Sequence, residues 1–342
     1  MIRPYNLTNS KIHHLQSFVN HILLEIIFRA PSIASPNFTS ILVLPKYRTL
    51  IDDVNNDYVL DPLTSAYQIC KTLERSELKI LRRAVHNNNK IRELCNGSIE
   101  PITYEAIEKI DPKLKKSLKK FCDSLYDHVI GLAPCYHMYE DVNKCYKRVV
   151  KRSSVCRCCG INKVLTEFHL HRSALDHYLP RKHYPFNSVN FKNLMPICDI
   201  CNSKYKLGEN PLLLTENKGQ KNEKRSRQKA FYPFRRITPD IKIRIDFRNL
   251  TSIKSLEPDN IDIKLTCTGF EEEVRTWDRI FGIEENYKAE CCTDEMLGYY
   301  EEQYIADILF GKTHKQYIEI LDKNKYADAN FLKIPFLDAL NR

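Results

Sequence analysis

The sequence predicts an α+β protein: a mostly helical N-terminal region, a cysteine-rich central unit, and a C-terminal strand pair followed by helices. Three observations carry this reading. Apolar residues recur at helical spacing through residues 12–150. Cysteine, histidine, proline and asparagine then concentrate over 152–210, where the helical rhythm fades until about Asp199. Farther on, an alternation of period two replaces it at 241–247 and again at 261–267.

The elements follow in order. Leu15, Phe18, Val19, Ile22, Leu23, Ile26 and Ile27 keep the i, i+3, i+4 spacing of one amphipathic helix. A second helix is expected from Ser76 to near Gly97. A third has punctuation at both ends, with Asp111 as N-cap, Pro112 at the first helical position and Gly131 as the stop. Its inner face is Leu114, Leu118, Phe121, Leu125 and Val129. Residues 134–150 read as one more helix. Nothing in 1–150 looks catalytic, and its histidines, His13, His14, His86 and His128, are expected to be packing residues. The segment 215–236 carries Lys218, Lys221, Lys224, Arg225, Arg227, Lys229, Arg235 and Arg236 and reads as a basic, mobile loop. Ile241, Ile243, Ile245 and Phe247 alternate with polar residues, as do Ile261, Ile263, Leu265 and Cys267, and the two runs should pair antiparallel. A helix follows from about Glu271 with Val274, Trp277, Ile280 and Phe281 inward, and the last fifty residues should hold two more, one ending at Gly311. The chain thus divides into 1–150, 151–212, 213–238 and 239–342.

Composition narrows the function. Of 342 residues, 43% are hydrophobic and 28% charged, which suits a globular chain with a real core. The N-terminal residues lack an apolar run fit for export, and the most apolar stretch, 21–30, is short and carries Glu25 and Arg29. A cytoplasmic protein with no membrane span is the expectation. The formal charge of +10 favours a polyanionic partner, because cationic side chains release counterions from phosphate backbones, although a solvated basic surface would look the same.

Thirteen cysteines, an odd number, argue against a disulfide framework. Cys70, Cys95, Cys122, Cys135 and Cys145 fall in helical periodicity and should be core thiols. Cys156 and Cys159 form one C-x-x-C, and Cys198 and Cys201 form another. Two such knuckles place four thiolates around a structural Zn2+, a closed site that contributes folding free energy directly. Cys158 is a bystander.

Between the knuckles stand Asp176-His177-Tyr178-Leu179-Pro180 and Asn193-Leu194-Met195-Pro196-Ile197-Cys198, followed by Cys201-Asn202-Ser203-Lys204. This stretch resembles the HNH endonuclease family, which carries a D-H-x-x-P step, an N-L-x-P-x-C-x-x-C-N-x-x-K run and often an upstream C-x-x-C. The resemblance implies a ββα-metal unit of two short strands, a loop and a helix, stapled by the four-cysteine zinc. It also implies that Asp176 and Asn202 hold a catalytic Mg2+ or Mn2+, that His177 is the general base, and that Asn193 braces the loop orienting it. The chemistry asks for the same residue types. An imidazole can take a proton from water near neutrality, and a hard divalent cation on oxygen ligands can neutralise a phosphate and its leaving oxygen.

Arg157, Arg172, Arg181, Lys182, Lys204 and Lys206 flank the motif and are the expected phosphate contacts. His169, His171 and His183 read as loop residues, with a metal or phosphate contact as the alternative. The implied partner is DNA, bound with weak sequence preference. The surplus of helical chain suggests a partner protein, such as an ATPase or sensor in an antiviral defence or restriction setting. The competing reading is a catalytically silent zinc module that binds nucleic acid.

Overall fold

A computed structural model describes residues 2–217 and 219–342; Lys218, within the predicted basic loop, lies outside the described residues. The architecture is α+β, with helices on both sides of the central unit and three two-stranded antiparallel sheets. Buried side chains from all four predicted segments belong to one contiguous hydrophobic cluster.

The first amphipathic stretch is helical from Leu15 to His21, widens to a π-helix over Ile22–Ile26 and tightens over Ile27–Ser32. All seven of its predicted core residues are buried. The second runs from Arg75 to Asn88, capped by reciprocal Glu74 and Glu77 contacts, and breaks at Asn89–Lys90 before a short helix, Ile91–Cys95. The third begins where expected, with Asp111 accepting from the Leu114 amide and Pro112 opening the helix. It ends at Asp127, and a single tight turn carries the chain to Gly131. Its five predicted inward residues are buried, each contributing about 2 kcal/mol of burial. Residues 134–150 form two helices, Ala133–Met138 and Val142–Val150, because Asp141 caps the second. Helices Leu60–Cys70 and Tyr104–Ile110 complete this region.

Two further expectations need correction. His14, His86 and His128 are exposed, and His13 is half-buried, so none is a core residue. The basic segment also contains a hairpin: Leu213–Glu216 (β3) pairs with Lys224–Arg227 (β4). Two of its arginines are engaged by protein acceptors. Arg227 donates to the carbonyls of Leu212, Gln228 and Leu94, and Arg225 pairs with Glu105 and Glu223. Phe231 and Phe234 are buried just beyond it.

The central unit is built on Leu175–His177 (β1), paired antiparallel with Leu194–Pro196 (β2) so that Asp176 faces Met195 across the ladder. After β2 the chain enters a short π-helical segment, Ile200–Lys206. The C-terminal strands Lys242–Phe247 (β5) and Ile261–Thr266 (β6) pair as expected. Helix Glu271–Phe281 buries Val274, Trp277, Ile280 and Phe281, and it packs on the π-helical segment. At Gly282, φ is +56° and the Tyr205 ring lies where a β-carbon would stand, at 2.2 Å. Only glycine permits that approach. Beyond it lie Ile283–Cys291, a helical run over Asp294–Leu309, and helices His314–Lys323 and Asn330–Leu340, more than the two expected. No helix among the described residues is long and apolar enough to cross a membrane.

Candidate metal centre and adjoining cleft

The two C-x-x-C pairs converge. The sulfurs of Cys156, Cys159, Cys198 and Cys201 lie within 4.8 Å of one another and all four residues are buried. A tetrahedral Zn2+ with Zn–S bonds near 2.3 Å requires sulfur separations of about 3.8 Å, so modest contraction completes the site. Cys158 is outside this group, as expected. Burial opposes ionisation of Cys156, yet hydrogen bonds from the neighbouring thiols outweigh it and hold its pKa well below the usual value. The Asn162 side chain and the Cys201 amide point N–H groups at the sulfurs of Cys159 and Cys198. Buried sulfurs with N–H donors aimed at them suit thiolate ligands, and the group could hold a metal ion such as zinc.

The C-terminal region fixes the first knuckle. Trp277 Nε1 donates to the carbonyl of Cys158 at 2.8 Å, and the Tyr287 hydroxyl donates to that of Cys159 at 2.7 Å. The Tyr5 hydroxyl, from the other end of the chain, reaches the carbonyl of Pro196.

Beside the cysteines, Asp176, His177 and Asn202 line one open cleft of about 360 Å3, with Tyr126, Arg181, Lys182 and Lys206 also in its wall. His177 is buried, and its Nε2 lies 2.7 Å from the carbonyl of Ser188. A carbonyl only accepts, so Nε2 carries the proton and Nδ1 keeps its lone pair. Burial lowers the His177 pKa to about 3, assisted by the charges of Arg181 and Lys206 and opposed by the Ser188 carbonyl. The Tyr126 ring meets the imidazole edge-on at 4.3 Å. Asn193 is fully buried and grips the backbone of Leu179 at both ends: its Oδ1 accepts from the amide at 2.8 Å and its Nδ2 donates to the carbonyl at 2.9 Å. The strand carrying His177 is therefore tied to the chain entering β2.

Asp176 and Asn202 offer one carboxylate and one amide oxygen, donors that suit a hard cation. The Asn202 carboxamide makes no hydrogen bond among the described residues. Oδ2 of Asp176 is shut from solvent and has charge pairing with Lys206 in place of a well-directed hydrogen bond. Burial raises the Asp176 pKa, and Lys206 opposes that rise. These two oxygen donors are of the type a hard cation takes, and the Lys206 ammonium stands 2.7 Å from one of them.

The expected phosphate contacts divide. Arg172, Lys182 and Lys204 are exposed, and Lys182 lies at the cleft mouth over Gly208. Arg181 lines the cleft but is tied to Asp127 at 2.8 Å and lies over the Tyr126 ring. The other two are taken up by contacts within the protein. Arg157 donates to the Pro4 carbonyl and stacks on Tyr5, because the N-terminal segment covers that knuckle. Lys206 is 1% exposed, with Nζ 2.7 Å from Asp176 and 2.8 Å from the carbonyl of His177. Lys204 follows Asn202 by two residues and Lys206 by four, so neither meets the N-x-x-K spacing. Of the loop histidines, His169 stabilises its own turn, His171 is exposed, and His183 lines a neighbouring groove.

Sequence reasoning missed the support from the helical half. The Ser188 hydroxyl donates to the Cys122 carbonyl, Asn187 and Asn190 donate to Asn88 and Asn89, and Asn88 in turn holds Ile102 and Pro185. The Tyr126 hydroxyl donates to the Leu175 carbonyl. The one signal in the residues was asparagine clustering, at 87–89 and at 187–190.

Comparison with protein-family models, characterised proteins and solved structures finds no match for this chain.

Proposed function

We propose that the protein is a metal-dependent endonuclease of the HNH type, with β1, β2 and the π-helical segment serving as its ββα-metal unit. The observation that carries this reading is the meeting of Asp176, His177 and Asn202 in one cleft, with the imidazole held so that Nδ1 is its basic nitrogen. Asp176 and Asn202 would hold Mg2+ or Mn2+, which supplies charge neutralisation at the scissile phosphate and the leaving oxygen. His177 Nδ1 takes the proton of the attacking water, and the Ser188 carbonyl orients the ring. Asn193 keeps the strand in place. Lys182, Lys204 and Arg172 offer exposed cations for the flanking phosphates, contacts that weaken with salt. The four-cysteine group holds zinc and anchors the stretch of chain that presents Asn202. The substrate is DNA, cut to 5′-phosphate and 3′-hydroxyl ends, and the helical half additionally docks a regulatory partner in a defence system.

One observation favours the second reading, a zinc module that binds nucleic acid without cutting it: the ammonium of Lys206 already neutralises Asp176. Plasmid nicking separates the two. The nuclease reading expects Mg2+- or Mn2+-dependent nicking that His177→Ala abolishes. Retained DNA binding with no nicking by either protein would leave the binding module.

A further inference from the structure

The loop preceding β1 has a pinned base and an uncovered tip. At its base, the buried Tyr146 hydroxyl donates to the Leu165 carbonyl and accepts from the Ser173 amide, while the Leu165 amide donates to the Ser173 hydroxyl at 2.9 Å. Within the loop, His169 Nδ1 accepts from the Thr166 amide at 3.0 Å, and both oxygens of Glu167 accept from the Arg152 amide. The turn is thus held from inside by His169, and Phe168 and Leu170 project outward at 81% and 96% exposure. Isolated exposed apolar residues are ordinary. Two of them, flanking the histidine that fixes a braced turn, form a shaped feature.

Its surroundings point to one class of partner. Lys151, Arg152, Lys163 and Arg172 are exposed around the loop, and its one carboxylate, Glu167, is already satisfied. Arg172 lies within Coulombic reach of Tyr126 in the cleft wall, and Ala174, four residues from Leu170, lines the cleft itself. A cationic ring grips phosphates, whereas an apolar tip gains nothing from them; bases offer it a flat apolar face.

We infer that residues 166–172 form a base-contacting wedge, in which Phe168 and Leu170 press against the bases of a nucleic acid whose backbone lies in the adjoining cleft. The inference rests on the nuclease reading for the position of that backbone. It assigns the protein a preference for nucleic acid whose stacking is already weakened, such as nicked, mismatched or single-stranded segments, where opening a step costs least.

The test uses the full chain carrying His177→Ala, titrated into oligonucleotide duplexes that contain 2-aminopurine with or without a mismatch. The expected result is a rise in 2-aminopurine fluorescence on binding, larger at the mismatch. Adding Phe168→Ser and Leu170→Ser should remove that rise and weaken binding about tenfold, the scale of one lost base contact. Because both side chains are exposed, zinc content and melting temperature should not change. Equal fluorescence and affinity with and without the tip residues would overturn the wedge and leave the nuclease reading intact. Absence of binding to any nucleic acid, whatever the tip, would overturn both. A tip variant that only turns a dimer into a monomer would assign the tip to a second copy of the chain and reject the inference.

Discussion

Nζ of Lys206 lies 2.7 Å from Oδ2 of Asp176 and 2.8 Å from the carbonyl of His177, buried beneath the cleft the two residues line. One cation thus neutralises the carboxylate and fixes the strand that carries the imidazole. A divalent ion reaching Asp176 meets this positive charge first. Replacing Lys206 with methionine keeps the stem and removes the charge. Without added metal, the variant should melt lower, because removing one partner of a buried pair costs about 3–5 kcal/mol. Mn2+ should then stabilise the variant more than the parent and bind it about tenfold more tightly. Equal Mn2+-induced thermal shifts in the two proteins would show that Lys206 does not compete with the ion.

The cysteine cluster should carry one zinc per chain. Cys198→Ser or prolonged chelation should remove it and unfold the central unit, since structural zinc binding is folding free energy. Cys158→Ala should retain the metal. Elemental analysis with circular dichroism checks both, and zinc loss from the Cys158 variant would place that sulfur among the ligands.

Burial lowers the His177 pKa to about 3 from its usual value. The folded protein therefore holds a neutral imidazole, whereas the unfolded chain protonates it below about pH 6.5. Because the folded pKa is the lower one, stability drains away as pH falls from about 6.5 toward 3 and is unaffected above. Urea midpoints at pH 7 and pH 5 should differ more in the parent than in His177→Asn. Cleavage at saturating cation should show no acid limb near pH 6.5. A rate halving there would mean an imidazole of ordinary basicity.

Asn193→Ala removes both side-chain hydrogen bonds to Leu179 and leaves buried backbone groups unpaired. About 2 kcal/mol of stability should be lost. Nicking should fall at least tenfold while DNA affinity holds, because the side chain is buried and touches no solvent-facing cation. An unchanged turnover number with weaker DNA binding would contradict a bracing role.

Much of this arrangement was legible in the residues. The cysteine spacing announced a four-sulfur cluster, Asp111 and Pro112 marked a helix start, and the alternation at 241–247 and 261–267 pointed to an antiparallel strand pair. What was hidden depended on partners distant in sequence. Lys206 reads as a surface cation in its own segment, and only the fold buries it against Asp176. Arg157 looks like a phosphate contact until residues 4 and 5 close over it. The hairpin at 213–227 was obscured because its lysines and arginines resemble a solvated run, whereas the Arg227 guanidinium is held by carbonyls that include that of distant Leu94. The asparagines at 88, 89, 187 and 190 are ordinary turn residues singly, and their meaning is pairwise.

The contact between Trp277 and the Cys158 carbonyl has a practical corollary. Trp277 is the sole tryptophan of the chain, and its indole N–H ends on the knuckle that bears half of the sulfur cluster. Unfolding of that knuckle removes the acceptor of the indole N–H and disturbs the packing around the ring. Emission from the unlabelled protein should therefore redden as the metal leaves, giving an optical gauge of occupancy built into the wild-type chain.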